Sequence, residues 1–318
     1  MAERTSIDEL TRAAEKPGQT TGAPGFGDGA VIACDRLVRI YSTAGIEVQA
    51  LQGLDLLVTR GELTAVVGAS GSGKSTLMNI LAGLDVPTAG AVRVAGRDLA
   101  MLTTRDRTDY RRHTVGFIWQ QTSRNLLPYL TGRQNVLLPM QFSAMPRRVR
   151  TQRADELLTT LGVGHCAGRT PDRMSGGEQQ RVAIVTARAN EPEVLLADEP
   201  TGELDSQTAR SVFSALQTAN SELGVTVLVV THDPELSSQV RRTVAIRDGR
   251  TSSETLRHSA TDDSGETTHH AVEYALVDRA GRVQLPRDMI EPLDIKNRVR
   301  LEAEVDHIGV WPDRPADT

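Results

Sequence analysis

The sequence predicts an α/β protein with an anion site at the carboxyl edge of its sheet, and three segments predict it. The apolar run Leu63-Thr64-Ala65-Val66-Val67 suits a buried strand. It leads into the glycine-rich Gly68–Thr76 (GASGSGKST) and then a helix over Thr76 to Ala82. The turn in MSGGEQQR, Met174 to Arg181, opens a second helix that continues to about Ala189. The short apolar strand Val194–Ala197 ends in the paired carboxylates Asp198 and Glu199.

Taken in order, Leu37–Tyr41 reads as a strand ending in an aromatic ring. Gly68-x4-Gly73-Lys74-Ser75 fits the phosphate-binding loop pattern. Its glycines let backbone N–H groups approach phosphate, its lysine reaches the outer oxygens and its serine supplies a hydroxyl for a metal ion. Val115-Gly116-Phe117-Ile118-Trp119 is followed by Gln120 and Gln121. Within the stretch from about Thr122 to Arg173, Ala154, Leu157, Leu158 and Leu161 are spaced along one helix face, a core stripe. Ser175-Gly176-Gly177-Glu178 places a second glycine-bearing anion site at a helix start. Asp198 and Glu199 lie where open α/β sheets bind ligands. One can hold Mg²⁺ while its neighbour orients water. Val227–Val230 forms a last apolar strand, ending in Thr231-His232-Asp233.

In this order the motifs resemble the nucleotide-binding subunit of ATP-binding cassette (ABC) transporters, over roughly Val31 to Arg250. That resemblance implies a P-loop NTPase fold with an antiparallel β subdomain and a helical subdomain, ATP as substrate and Mg²⁺ as cofactor. MSGGEQQR looks like the family signature, with Met174 where leucine is usual. Carried over, Lys74 and the loop of Gly68, Ala69, Ser70, Gly71, Ser72, Gly73, Ser75 and Thr76 hold the phosphates. Ser75, Asp198 and Gln120 serve Mg²⁺. Glu199 is the base or water-positioning group, His232 the switch histidine, and Gln120 also reaches the attacking water. Gln121 is the neighbouring alternative to Gln120. Tyr41 resembles the ring that stacks on adenine, against the alternative of a strand-end cap on the core. Ser175, Gly176, Gly177 and Glu178 would complete the phosphate site of a second subunit, and Asp205 in Gly202-Glu203-Leu204-Asp205 would contact it. A monomer would then hold only half-sites. The stretches TGELDS and NLLPYLTGRQNVLLP look most like the subfamily of lipoprotein-release and macrolide-export ATPases, whose partners are permeases with large extracytoplasmic domains; for this chain the resemblance implies a homodimer energising a separate permease at the cytoplasmic face of the membrane.

Composition sets bounds. At 318 residues and 39% apolar there is material for a large domain and a small one, and with aromatics at 3% the core must be aliphatic. A net charge of −5 and a pI near 5.9 argue against a chain-wide nucleic-acid footprint. Cys34 and Cys166 lack metal or redox spacing and read as reduced thiols. No apolar run is long enough to span a bilayer, and no secretory h-region begins the chain.

The ends differ from the middle. Residues 1–30 read as a mobile tail with a short helix near Ile7 to Ala14, 31–250 as the ATP-binding domain, 251–270 as a polar linker that includes His269-His270, and 313–318 as a tail. Residues 271–312 read as a small hairpin domain: two segments flank a turn at Asp278–Gly281, then come a helical step and strands at Val299–Val305 and His307–Trp311. Asp278-Arg279-x-Gly281-Arg282-Val283-x-Leu285-Pro286 resembles the AbrB/MraZ-like swapped-hairpin regulators, which implies pairing of two chains. DNA binding under nucleotide control is the alternative function. From Ala271 onward, however, seven Lys/Arg face ten Asp/Glu, a net of −3.

Overall fold

The structure is a computed structural model that describes residues 26–43, 46–143, 145–261, 267–278, 281–295 and 298–312. The expected N-terminal helix and most of that tail, and the last six residues, lie outside them. The described chain begins with strands β1 (Ala30–Thr43), β2 (Ile46–Thr59) and β3 (Leu63–Val67), then helix α1 (Lys74–Leu81). Strands β4 (Ala89–Val94) and β5 (Arg97–Asp98), helix α2 (Thr104–His113) and strand β6 (Val115–Ile118) follow. A helical stretch holds α3 (Gly132–Met140), α4 (Arg147–Thr160) and α5 (Gly176–Arg188). The sheet then resumes with β7 (Val194–Asp198), α6 (Ser206–Ser221), β8 (Thr226–Val230), α7 (Pro234–Ser238) and β9 (Arg242–Arg247). Strands β10 (Arg250–Thr261) and β11 (Thr267–Ala275), helix α8 (Arg287–Ile290) and strands β12 (Val299–Ala303) and β13 (Ile308–Pro312) complete it.

The central sheet has the order β11-β10-β9-β3-β8-β7-β6. The run from β9 to β6 is parallel, and β10 and β11 add antiparallel strands at one side. Its inner strands read as unbroken apolar runs because both faces are covered. Side-chain alternation divides each strand between two cores. Ala65, Leu195, Ala197, Val227 and Val229 pack with the helices α3 to α6. Val66, Leu196, Leu228 and Val230 pack with α1 and with the antiparallel sheet β2-β1-β4-β5. The predicted stripe Ala154, Leu157, Leu158 and Leu161 is buried in the first of these cores. Cys34 and Cys166 are free and buried, and burial pushes the Cys34 thiol up to about 12.

The described parts of the stretch read as a polar linker, Thr251 to Thr261 and Thr267 to His270, are instead paired strand. β10 runs antiparallel to β9 from Arg250 against Arg247 to Leu256 against Arg242, and β11 pairs on its other side. Ser252 and Ser253 are buried, and the Ser252 hydroxyl donates to the Ala245 carbonyl at 3.2 Å. Arg242 holds Glu254 at 2.8 Å and Glu62 at 3.1 Å, tying the strand to the sheet. Thr and Ser are competent in strands when a ladder partner and hydrogen bonds are at hand, so a polar composition misread this segment as linker. His270 sits exposed on β11. Beyond it, a single bridge pairs Val277 with Val283, and Asp278 accepts from the Arg282 side chain at 2.6 Å. β12 and β13 form a separate two-stranded ribbon. It turns at Glu304–His307, so β12 stops at Ala303 and leaves Val305 outside the strand.

Candidate functional site

The phosphate loop is fixed by close backbone approach. A Cβ on Gly68 would lie 2.3 Å from the Ile246 carbonyl, and one on Gly73, which sits at φ 103° as the N-cap of α1, would lie 2.5 Å from the Ala50 carbonyl. Lys74 is buried, and its ammonium donates to the Gly68 and Ala69 carbonyls at 2.8 Å each. Gly73→Ala is therefore expected to abolish ATP binding while the sheet remains folded. Nucleotide titration together with circular dichroism checks this, and unchanged affinity would overturn it.

Asp198 ends β7 beside the loop and shares a hydrogen bond with Ser75. Burial holds its carboxyl above the usual range and the charge of Glu199 raises it further, while the Ser75 bond and Lys74 oppose the shift. Glu199 adopts φ 46°, a left-handed conformation that costs a non-glycine residue energy and that recurs at functional sites. Its amide donates to the Val230 carbonyl at 3.0 Å, and its carboxylate lies 3.2 Å from His232 Nδ1. The Gln120 side chain faces Gly202, where an added Cβ would lie 2.9 Å from Nε2. Gln121, the alternative, uses its backbone carbonyl to close the turn at Arg124 and Asn125. Loop, Asp198, Glu199, His232 and Gln120 thus gather at the carboxyl ends of β3, β7, β8 and β6.

The signature turn is built separately. Ser175 caps α5, its hydroxyl accepting from the Glu178 amide at 3.3 Å and its amide donating back to Glu178 Oε2 at 2.7 Å. His165 lies 2.6 Å from Glu178 Oε1, and that bond and the cap hold the Glu178 carboxyl down at about 2. Gly176 and Gly177 face Leu204 and Thr208, and a Cβ on Gly177 would lie 2.3 Å from the Thr208 methyl. Asp205 caps α6 by accepting from the Gln207 and Thr208 amides at 3.1 and 3.0 Å. These contacts share no residue with those of the phosphate loop.

Tyr41 is partly exposed on β1. Its hydroxyl donates to Asp85 at 2.7 Å, and the Arg39 guanidinium, paired with Asp85 at 2.8 Å, lies 4.4 Å from its ring centre. One ring face is therefore covered by a cation, which the sequence did not reveal.

Sequence reasoning also missed Gln180, which is fully buried. Its amide donates to the Trp119 carbonyl at 3.0 Å and the Pro200 carbonyl at 2.9 Å and accepts from Asn125 at 3.1 Å. It thereby joins the signature helix to the Gln120 loop and to the segment after Glu199. The available signal was a polar side chain three residues after Gly177 and four before Ile184, on the helix face that packs inward.

Comparison with known proteins agrees with this geometry. The family model for the ABC transporter matches residues 51–202. The lipoprotein-releasing system ATP-binding protein LolD 2 of Caulobacter vibrioides is 45% identical over 219 residues, 69% of this chain and 95% of that protein. The macrolide export ATP-binding/permease protein MacB of Rhodospirillum rubrum is 43% identical over 214 residues, 67% of this chain, which spans only 32% of that longer protein. Among solved structures, the dimeric structure of MJ0796, a bacterial ABC transporter cassette, superposes with a TM-score of 0.64 at 39% identity, covering 70% of this chain and 97% of that one. A dimeric post-hydrolysis state of the same cassette, bound to ADP and Pi, gives a TM-score of 0.63 at 38% identity over 69% of this chain and 96% of that one. The chain belongs to the ABC transporter ATPases, as an ATP-binding and ATP-hydrolysing subunit of the LolD/MacB type.

Proposed function

We propose that this chain is one half of a homodimer that closes around two MgATP and energises a separate permease from the cytoplasmic face of the membrane, in export or mechanical transmission. The observation that carries this reading is the separation of the phosphate loop from the signature turn, each preorganised by its own contacts. Two chains head to tail would bring Ser175 and Gly177 of one to the γ-phosphate on Lys74 of the other, with Asp205 near the join. ATP then holds the subunits together, and hydrolysis releases them.

Within each site, Lys74 and the loop amides from Gly68 to Thr76 hold the β- and γ-phosphates, and Tyr41 offers a ring face to the base. Glu199 accepts a proton from water or orients it, with His232 beside it and Gln120 reaching in from the β6 end. The hydroxyl of Ser75, the carboxylate of Asp198 and the amide oxygen of Gln120 are hard oxygen donors of the kind Mg²⁺ takes together with phosphate. Mg²⁺ there would neutralise charge on the transferring phosphoryl group.

Among the described residues no helix is long and apolar enough to cross a membrane, which fits a separate permease. The groove between α2, β6 and α3, about 450 Å³ and lined by Arg112, Phe117, Leu127 and Phe142, is the surface we assign to it. Phe142 is 62% exposed there.

The C-terminal ribbon serves pairing in this reading. Its register puts Val299, Leu301, Ala303, Ile308, Val310 and Pro312 on one face, and Leu301 and Ile308 are exposed. Two-stranded ribbons are marginal without a covering surface. The AbrB-like resemblance and the DNA-binding alternative have no support in the relatives found. Sedimentation of Glu199→Gln with and without MgATP tests the dimer; a monomer under both conditions would overturn it. Adding Leu301→Asp with Ile308→Asp should weaken association at least tenfold, about 1.4 kcal/mol. An unchanged constant would remove the ribbon from the interface.

A further inference from the structure

His165, Cys166 and Glu178 place an imidazole nitrogen, a thiol sulfur and a carboxylate oxygen within 4.8 Å of one another, at the base of the signature helix. None of these groups belongs to the phosphate loop or the Asp198–Glu199 edge. The nucleotide reading uses Glu178 only as part of the signature turn.

The two sides of the cluster are held independently. His165 and Cys166 sit on a short 3₁₀ turn, Gly164–Cys166, pinned to the start of α3: Arg133 donates to the Ala167 carbonyl at 3.0 Å and Gly132 to the Arg169 carbonyl at 2.8 Å. Glu178 is held by the cap on α5. That cap uses Oε2, which leaves Oε1 facing His165 at 2.6 Å. A cation taking Oε1 therefore costs no cap bond. The His165 side chain is 49% exposed, which gives entry and room for a fourth, solvent ligand, while Cys166 closes the site from the buried side.

We propose that His165, Cys166 and Glu178 form a binding site for a zinc-class divalent cation that clamps the 3₁₀ turn to the first turn of the signature helix. One sulfur, one nitrogen and one oxygen donor plus a water is a tetrahedral set that zinc takes. The soft thiolate and the imidazole discriminate against Mg²⁺ and Ca²⁺, so the site stays distinct from the nucleotide's metal. Binding displaces the thiol proton to solvent, and thiolate and carboxylate together balance the dication. Tetrahedral bonds of about 2.0–2.3 Å require the 4.8 Å spread to contract by roughly 1 Å and the His165–Glu178 contact to open. Arg169, 3.7 Å from Oε1 and 47% exposed, must swing toward solvent.

The test is Co²⁺ titration of the untagged full chain in excess Mg²⁺, read by absorption. The expected result is one Co²⁺ per chain with tetrahedral d–d bands and a thiolate-to-cobalt charge-transfer band, abolished by added Zn²⁺. Cys166→Ser should eliminate the charge-transfer band and His165→Gln should weaken binding tenfold or more, while Cys34→Ser leaves both unchanged. In thermal melts, Zn²⁺ should raise the transition of the native chain but not that of Cys166→Ser, whose melt without metal also reports that it folds. Absence of the charge-transfer band in the native chain, or its persistence in Cys166→Ser, overturns the site. None of these readouts depends on ATP turnover, so the result stands apart from the fate of the dimer reading.

Discussion

Glu199→Gln should bind MgATP and dimerise, yet release phosphate roughly 10²–10⁴-fold more slowly, the scale expected for loss of a general base. The amide matches the carboxylate in shape and can still meet His232, now 3.2 Å from Oε2, so the local packing and the strained φ of 46° have no reason to change. What is lost is a group that can take a proton from water. The substitution also removes the charge that raises the Asp198 carboxyl, so the affinity for MgATP should hold or improve. Steady-state phosphate release and sedimentation on the same preparation check both halves. Turnover at the native rate would exclude Glu199 as the base.

Ending the chain before Thr251 should destabilise the ATP-binding domain by at least about 3 kcal/mol, whereas ending it after Ala275 should leave that domain's stability nearly unchanged. The first cut removes β10, strips one of the two ladders from β9 and takes Glu254 away from Arg242, whose side chain is only 19% exposed. Separating one member of a fully buried ion pair costs about 3–5 kcal/mol because the remaining charge stays desolvated; this pair is part-buried, and the lost β10 ladder adds to it. Glu62 still pairs with Arg242 at 3.1 Å, which puts the estimate at the lower end. The second cut keeps β10 and β11 in the sheet and removes the Val277–Val283 bridge, α8 and the ribbon. Urea unfolding of the two truncations decides it, and equal midpoints would mean that β10 is an appendage. Only the second cut is a clean test of subunit pairing by the ribbon.

The candidate nucleotide segments were legible because their sequence signals are local. The loop from Gly68 to Thr76, the Ser175–Glu178 turn and the Asp198–Glu199 strand end each carry their pattern within a few consecutive residues. Each was placed in the structure on the predicted strand or helix start. Which way Gln120 and Gln121 face needed the backbone path, since adjacent residues on an extended chain point opposite ways, and in the structure the Gln120 side chain faces Gly202. The linker reading of residues 251–270 rested on polar composition, which does not show that Thr251–Thr261 and Thr267–His270 find ladder partners. The Arg39–Asp85 pair around Tyr41 was not legible, because Asp85 lies 44 residues from Tyr41 in the bend between α1 and β4.

By itself the sequence determined the α/β class, the phosphate loop, the signature and the acidic strand end, because backbone conformation and hydrophobic period are set by neighbours within a few residues. Only the tertiary structure decided how Gln180 joins three segments, that β10 and β11 extend the central sheet, and that His165 and Cys166 meet Glu178, 13 and 12 positions further along the chain. Those outcomes rest on burial and on pairing between distant segments, where a polar side chain is stabilised only by partners that folding brings to it.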